Sequence, residues 1–128
     1  MAVHNALSPG LKEEVYEKAL EVELNQRDIS VIRQFSVSVE YSEEQVALFY
    51  LDLFVEDQVV VEVKALSHPL TNDELAQVIN CLKAANAPAG LLLNFRRRKL
   101  EYRRVFPGKV RDPVQRTSRD DVIDRKNQ

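Results

Sequence analysis

The amino-acid sequence predicts a single α/β domain (an α+β arrangement around a mixed sheet) with the element order helix, three strands, helix, two strands. Apolar residues recur with a period of 3.6 in residues 11–26 and 72–85, which is typical of amphipathic helices. Runs rich in β-branched and aromatic residues fill the intervals between and after them. The apolar run at residues 91–95 follows the second helix, as expected of a buried strand entered by a crossover connection.

Composition sets a plain frame for these elements. The 128 residues suffice for one domain with a proper core, and 45% hydrophobic with 30% charged residues is typical of a soluble globular protein. A formal net charge of -2 gives no global attraction to nucleic acid, so such affinity must come from local clusters. The single cysteine, Cys81, excludes an intramolecular disulfide and is typical of a reducing cytoplasm. No apolar run is long enough to span a bilayer, and no signal-peptide core is present, so we expect a cytoplasmic protein.

The chain divides into a folded domain and two polar ends. Residues 1–9 are predicted to be a short flexible lead, residues 10–106 the domain, and residues 107–128 a polar tail of mixed charge sign. His4 falls in the lead and His68 in a loop before Pro69. Neither has a second His or Cys at ligand spacing, so both are more often loop residues than metal ligands.

The first helix carries one broad apolar arc, with acids and a lysine opposite. We expect Glu14, Glu17, Lys18 and Glu21 on the solvent side. Two acids break this pattern: Glu13 lies at the edge of the arc and Glu23 falls within it. Position alone does not decide which of the two has a special role, because a carboxylate in the first turn of a helix is favoured by the helix dipole.

Residues 29–41 alternate between apolar and polar, which predicts a strand with one packed side. The packed side is expected to hold Val31, Arg33, Phe35, Val37 and Val39. A polar turn at residues 42–45 leads into a strand at residues 46–55.

The central stretch, residues 50–66, is predicted to be a β-hairpin with charges inside apolar strands. Asp52 lies in the first strand, and Glu62 and Lys64 share one face of the second. A three-residue turn at residues 56–58 would place Asp52 directly opposite Glu62, with Cβ atoms about 5 Å apart. Such carboxylates repel unless a cation or proton lies between them. A two-residue turn would instead put them on opposite faces.

The second helix and the strands after it carry the remaining candidate residues. Thr71 or Asn72 can cap this helix, and Gln77 and Cys81 share one of its faces, one turn apart. A basic cluster follows the apolar strand at residues 91–95. It consists of Arg96, Arg97, Arg98, Lys99, Arg103 and Arg104, with Tyr102 interleaved and Glu101 as the one acid. A solvated turn beside a charge-guarded edge strand and a phosphate-contacting patch are equally compatible with this cluster.

Three stretches together resemble a known family. Asp52 followed by Glu62-Val63-Lys64 resembles the D…(D/E)xK signature of the PD-(D/E)XK nuclease superfamily, whose core is αβββαβ. Residues 10–16 match the GxxExxY pattern of a family of small bacterial and archaeal proteins within it. Residues 90–95 resemble the Gly-Leu-Leu-Ile-Asn-Phe strand of the same family. The likeness covers roughly residues 7–106 and implies a restriction-endonuclease-like core with an extra C-terminal strand.

The resemblance also implies roles for single residues. It places Glu13 in the metal site, with Tyr16 as a supporting motif residue, and leaves Glu23 as a structural acid that could pair with Arg33. Gln77 corresponds to the glutamine of a QxxxY motif in related exonucleases, whose tyrosine is replaced here by Cys81. The proline of the superfamily name is also replaced, since Leu51 precedes Asp52.

The chemistry implied is metal-dependent hydrolysis of a phosphodiester. Mg²⁺ or Mn²⁺ would be held by Asp52, Glu62, Glu13 and the Val63 carbonyl, because hard cations prefer oxygen ligands. Lys64 would orient the attacking water or offset developing charge, a role suited to a compact ammonium. Phosphate contacts would come from Arg96, Arg97, Arg98, Lys99 and Arg103.

Two functions of different class are compatible with these residues. The first is a metal-dependent nuclease on DNA or RNA, with DNA as the expected partner, which the intact Asp52, Glu62 and Lys64 favour. The second is a non-catalytic module that binds nucleic acid or dimerises. The low net charge and small size favour this second function, because little surface is left to grip a duplex unless a homodimer or a partner forms. Cross-strand salt bridges on a solvated sheet are the structural alternative, and a two-carboxylate glycosidase is disfavoured because the core leaves little room for a sugar groove.

Overall fold

A computed structural model describes residues 2–7, 10–95 and 99–108 of the chain. Its elements are α1 (Ala2–Ala6), α2 (Glu13–Gln26), β1 (Val31–Tyr41), β2 (Glu44–Val55), β3 (Val59–Lys64), α3 (Asn72–Ala85), β4 (Ala89–Asn94) and β5 (Glu101–Val105). From α2 to β5 the order is the predicted one. The predicted tail lies outside the described residues from 109 onward. No helix in the described part of the chain is long and apolar enough to cross a membrane.

The first residues differ from the predicted flexible lead. Residues 2–6 form helix α1, and the Val3 side chain is only 5% exposed. Val3 packs into the same core as Tyr16 and Phe95, and the His4 ring lies 6.1 Å from the Phe95 ring. A polar stretch therefore orders here because it contributes one apolar side chain to an otherwise open side of the core.

The five strands form one mixed sheet in the order β1-β2-β3-β4-β5. β3 and β4 are parallel and are joined through α3, while the other neighbouring pairs are antiparallel. A parallel pair requires a crossover, and α3 supplies it, as predicted. The carboxyl ends of β3 and β4 therefore meet at the same end of the sheet, where Lys64 pairs with Asn94.

Apolar side chains cover both faces of the sheet, in two clusters. One cluster joins α3 to the sheet through Val60, Val78 and Leu82, and the other joins α1 and α2 to it through Val61 and Tyr16. Val60 and Val61 are neighbours in β3, so the clusters lie on opposite faces. Burial on both faces explains why β3 and β4 are almost continuously apolar.

Strand β1 corrects one sequence prediction. Its odd-numbered residues are the less exposed ones, as predicted, but they do not share one face. Val31 packs with the α2 cluster, whereas Phe35 and Val37 pack with the α3 cluster. Between them Gln34 has φ of +57°, a left-handed conformation that reverses the side-chain alternation. The sheet thus changes which face is packed at the level of Gln34 and of Asp52, which the β1–β2 register places opposite it.

Helix α3 is fixed at both ends and pressed closely onto the sheet. The Thr71 hydroxyl accepts a hydrogen bond from the Asp73 N–H at 3.2 Å. The Glu74 carboxylate accepts one from the Thr71 N–H, which completes a capping box. Asn86 ends the helix in the left-handed conformation. Gly90 of β4 permits the close approach, because a Cβ there would lie 3.0 Å from Leu82 and 3.1 Å from Val78.

Candidate functional site

The two hairpin carboxylates lie where β2 and β3 separate. The strands pair at Val55–Val59, Phe54–Val60 and Leu53–Val61, which is the register of the predicted three-residue turn. One step further along the same register, Asp52 faces Glu62. There the side chains replace the backbone ladder: the Asp52 N–H donates to Glu62 Oε2 at 3.1 Å, and the Val63 N–H donates to Asp52 Oδ2 at 2.7 Å. Beyond Leu53 and Val61 the two strands separate, with Asp52 and Glu62 between them, and we call this point the fork.

Three further predicted residues reach this fork. Lys64 lies two residues after Glu62 on the same face of β3, and its Nζ donates to Gln77 Oε1 of α3 at 3.2 Å. Glu13, in the first turn of α2, accepts a hydrogen bond from the Ala65 N–H at 3.2 Å. The structure thus brings Asp52, Glu62, Lys64, Glu13 and Gln77 together from four different elements.

Burial raises the free-energy cost of keeping both carboxyl groups ionised. Glu62 is only 6% exposed. Burial raises its pKa from 4.5 to about 7, and the charge of Asp52 adds to the rise. Burial likewise raises the pKa of Asp52, and the nearby Glu13 charge adds to it, while the Val63 N–H and the Lys64 ammonium offset part of the shift. A positive charge placed between the carboxylates would relieve both effects.

Glu17 belongs to the site although its helical position predicted a solvated face. It is 6% exposed, accepts a hydrogen bond from Gln34 Nε2 at 2.8 Å and lies 3.7 Å from Arg33 Nη1. Burial raises its pKa, and the charge of Asp52 adds to the rise, while Gln34 and Arg33 offset part of it. The one sequence signal was spacing: Glu17 follows Glu13 by four residues, so both acids lie on one helix face.

Glu23 lies away from this group and has a different partner from the predicted one. Its carboxylate binds Arg27 Nε at 2.6 Å within the same helix. Arg33, the expected partner, instead lies 3.4 Å from Glu21 and close to Glu17. Arg33 lies beside α2 because it precedes Gln34, the position at which the side-chain alternation of β1 reverses.

The donor set suits a hard divalent cation. Within the described ranges, no three carboxylate, imidazole or thiol groups are gathered into a ready-made cage. Mg²⁺, however, is usually held by only one or two carboxylates and keeps several waters. Asp52 and Glu62 supply two carboxylates, and both have pKa values raised by burial and by a neighbouring acid. The residues present therefore fit such an ion.

Comparison with known proteins identifies the family. The sequence model of the PD-(D/E)XK nuclease superfamily matches residues 1–105. The chain belongs to this superfamily. The structure titled "Crystal structure of SSO0001" is similar, with a TM-score of 0.57 and 12% sequence identity over 73% of this chain and 48% of that one. At that identity the likeness shows the fold alone, and the present chain spans about half of the solved chain's length. No curated protein matches the chain.

In this PD-(D/E)XK protein, the residue 10–16 segment connects the site to the core. Gly10 has φ of +92°, which favours glycine. Tyr16 is fully buried and stacks on Phe95 with ring centroids 4.5 Å apart, and its hydroxyl accepts from the Leu11 N–H at 3.3 Å. Glu13 lies between these two fixed points and is held at the end of β3. The stretch of residues 10–16 and that of residues 90–95 therefore contact each other through the rings of Tyr16 and Phe95.

Asn94 of the superfamily member is a structural residue that the sequence did not single out. It is completely buried, and its Oδ1 accepts from the Leu66 N–H at 3.0 Å while its Nδ2 donates to the His68 carbonyl at 3.1 Å. Its Nδ2 also donates to Glu101 at 3.2 Å, and Glu101 in turn accepts from the Leu70 N–H. The loop that follows Lys64 is thereby fixed to β4 and β5.

Cys81 is chemically quiet despite its place beside the PD-(D/E)XK acids. The thiol is buried, and burial raises its pKa to about 11, with the charges of Glu62 and Asp52 adding to the shift. A thiol with so high a pKa stays protonated and is a poor nucleophile. Cys81 therefore supplies packing rather than the chemistry that a tyrosine would bring.

The predicted basic cluster is only partly within the described residues. Arg96, Arg97 and Arg98 lie outside them. Lys99 is exposed, and Arg103 is exposed with its Nη2 3.8 Å from Glu101. β4 ends and β5 begins at the same end of the sheet as Lys64, because Asn94 pairs with both Lys64 and Glu101.

Proposed function

We propose that this superfamily member is a metal-dependent nuclease that hydrolyses the phosphodiester bonds of DNA, with RNA as the alternative substrate. We further assign it to the GxxExxY family on residues 10–16, and to the cytoplasm on its cysteine content. One observation carries the proposal: the carboxylates of half-buried Asp52 and buried Glu62 face each other at the fork, and each accepts a hydrogen bond from a backbone N–H of the opposite strand.

The fork residues would hold the cation. Asp52 and Glu62 would be its carboxylate ligands, with Glu13 and the Val63 carbonyl completing the set. When bound, Mg²⁺ or Mn²⁺ supplies charge neutralisation at the phosphate and lowers the pKa of a coordinated water. The chain itself keeps the acids in register, because the Asp52 N–H and Val63 N–H fix one oxygen of each carboxylate.

Lys64 is proposed to act on the reacting groups directly. Its ammonium lies on the same face as Glu62 and is oriented by Gln77 at 3.2 Å. In that place it can orient the attacking water and offset the charge that develops on the phosphoryl oxygens. Gln77 is then a positioning residue, since it contacts Lys64 rather than the reacting atoms.

Glu17 is proposed to position Asp52. Its carboxyl group lies close enough to Asp52 for the charge of Asp52 to raise its pKa, and Gln34 Nε2 donates a hydrogen bond that holds Glu17 in place. Removal of this support leaves both metal ligands present but frees Asp52 to rotate. Metal ligands commonly depend on such hydrogen-bonded support for their affinity.

Substrate contact is proposed to involve the basic cluster and a second copy of the chain. Lys99 is exposed just before β5, whose first residue Glu101 pairs with Asn94 at the end of the sheet that carries Lys64, and Arg103 is exposed within β5. Their exposure supports a role for the wider cluster in phosphate contact. A homodimer would extend the limited surface of so small a domain, and its presence is tested by sedimentation in solution.

Nuclease assays with matched variants test the proposal. Purified protein is incubated with circular and linear DNA and with RNA, in Mg²⁺, in Mn²⁺ and in chelator. We expect metal-dependent cleavage that falls by about 10²–10³-fold in Lys64→Ala and at least as much in Asp52→Asn. Lys18→Ala removes an exposed lysine paired only with Glu14 and is expected to cleave like the wild type.

Two outcomes contradict a nuclease. Cleavage that persists unchanged in Lys64→Ala and Asp52→Asn would show a contaminating enzyme. Binding of nucleic acid without cleavage in either metal would instead support the non-catalytic module of the same fold.

A further inference from the structure

A cleft of about 710 Å³ opens at the fork, between β2, the end of β3 and helix α3. That volume is within the range of about 300–1,000 Å³ found for sites that enclose small ligands. It is room for one or two nucleotides. The reacting phosphate would lie against Glu62 and Lys64, which line this cleft.

The charge of the cleft disfavours a duplex. Four carboxylates line it, from Glu13, Glu62, Asp73 and Glu74, and among its described lining residues Lys64 is the one cation. Duplex DNA carries one negative charge per about 1.7 Å of its axis, whereas a single strand carries one per about 3.4 Å. A cleft with excess negative charge therefore repels a single strand less than it repels a duplex. A bound cation would also offset a larger share of the charge of the single strand.

One exposed aromatic residue of the cleft, Tyr50, can contact the bases of such a strand. Tyr50 lines the cleft two residues before Asp52 on β2, and its side chain is 57% exposed. Leu48, on the same strand and also in the lining, is 45% exposed. An exposed ring at a proposed phosphodiester site provides a surface on which an unpaired base can stack, and stacking does not depend on base identity.

The α3 side of the cleft carries amide groups rather than cations. Gln77 and Asn80 lie on α3 and both line the cleft. Amide side chains donate to and accept from base edges, and the Watson–Crick edge of a base is available only when the base is unpaired. The described lining therefore offers an aromatic residue and amide groups, and it does not offer the rows of cations that grip two phosphate backbones.

We propose that the cleft binds unpaired nucleotides, with Tyr50 as the stacking platform, so that the substrate is single-stranded nucleic acid or a single-stranded end or flap. The inference rests on the proposed nuclease function and narrows its substrate class. Tyr50 contacts substrate in this assignment and takes no part in activating the water.

Binding measurements with matched tyrosine variants test it. Fluorescence anisotropy follows a labelled DNA strand of about 12 nucleotides, the same strand annealed to its complement, and the RNA of the same sequence, all in Ca²⁺. The variants are Tyr50→Ala, Tyr50→Phe and Tyr41→Ala. Tyr41, the last residue of β1, is 74% exposed and is not among the residues lining the cleft.

We expect Tyr50→Ala to weaken single-strand binding by about tenfold to a hundredfold, because one base–aromatic stack is lost. Tyr50→Phe keeps the ring and is expected to bind within twofold of the wild type, as is Tyr41→Ala. Duplex binding should be weaker throughout and unaffected by these changes. Comparison of the DNA and RNA strands shows which sugar the cleft prefers.

The outcomes separate this inference from the nuclease proposal. Equal losses for single strand and duplex in Tyr50→Ala, or a loss no larger than that of Tyr41→Ala, would overturn the inference while metal-dependent cleavage still stood. A Tyr50-dependent preference for single strands in a protein that cleaves nothing would support the cleft assignment and defeat the nuclease.

Discussion

Glu62 is the residue where burial and charge conflict most directly. Its folded-state pKa is raised to about 7 from 4.5, so between these values the folded protein holds a proton that the unfolded chain has lost. Stability therefore falls as pH rises through this window, and above it the full cost of a buried carboxylate is present. A bound cation would offset this cost, which is why the proposed function places one between Glu62 and Asp52.

Glu62→Gln is expected to stabilise the metal-free protein at about pH 8 by about 1–3 kcal/mol and to leave it nearly unchanged at about pH 5. The amide removes the buried charge, and its oxygen can still accept the Asp52 N–H. Cleavage should be lost at the same time. Urea titrations in chelator measure the free energy of unfolding. Glu44→Gln, at an exposed position of β2, is the control and should change neither value.

A variant that is less stable than the wild type at the higher pH, or equally shifted at both, would show that Glu62 carries no buried charge. The same pair of titrations would then place the conflict elsewhere in the fork.

Strand β1 carries its strain at one position. Gln34 adopts φ of +57° inside a strand, a conformation that costs an L-residue about 1–2 kcal/mol. We expect Gln34→Val to be less stable than Gln34→Gly by about 1–2 kcal/mol, since both lose the bond to Glu17 but only glycine tolerates the backbone. Thermal and urea unfolding of the two variants measure the difference.

Ser36, two residues along β1 and exposed, is the matched position. There Val should be at least as stable as Gly, because β-branched residues favour extended strands. The same order at both positions would show that the left-handed turn of β1 is not strained.

Helix α3 depends on glycine at its contact with β4. A Cβ on Gly90 would meet Leu82 at 3.0 Å, Val78 at 3.1 Å and the Val60 carbonyl at 3.3 Å, and Val78 and Leu82 are fully buried. Gly90→Ala is therefore expected to destabilise the protein by about 1–2 kcal/mol in urea titrations. Because α3 carries Gln77, cleavage should fall as well.

Gly108→Ala is the control, since nothing lies within 4 Å of a Cβ there. An equal loss of stability in both variants would mean that α3 has room to move away from the sheet.

Much of the element pattern followed from sequence, and its failures have a local cause. The three-residue turn and the facing acids followed from apolar runs and strand periodicity. The change of packed face in β1 did not, because it depends on a left-handed glutamine, and glutamine has no marked preference for that conformation. Glu17 was missed because a helical pattern assigns an acid to solvent unless its partners are known, and those partners are Gln34 and Asp52.

At the scale of the whole molecule, divalent cations should stabilise the fold through the acids alone. Binding to the folded state adds about 2.7 kcal/mol at a free concentration about 100 times Kd. We expect Mg²⁺ or Mn²⁺ to raise Tm more at about pH 8 than at about pH 6, because protons compete for Glu62 and its pKa is about 7. Thermal shift assays in Asp52→Asn should lose this effect, whereas Glu23→Gln, in an exposed helix pair, should keep it.

A rise in Tm that is equal in Asp52→Asn and wild type would place the cation elsewhere on the chain. The sequence indicated the metal class through its oxygen donors, but the depth of burial that makes the effect measurable came only with the packed structure.

The fork also has a mechanical consequence. Strands β2 and β3 share the three pairs from Leu53–Val61 to Val55–Val59, while β2 runs on for several residues beside β1 alone. The sheet thus consists of two groups of strands, β1–β2 and β3–β5, joined by these three residue pairs, with Asp52 and Glu62 at the open end of the junction. A small rotation of β1–β2 against β3–β5 would change the distance between the two carboxylates without breaking any of these three residue pairs. The affinity for an ion and the width of the cleft entrance would then change together.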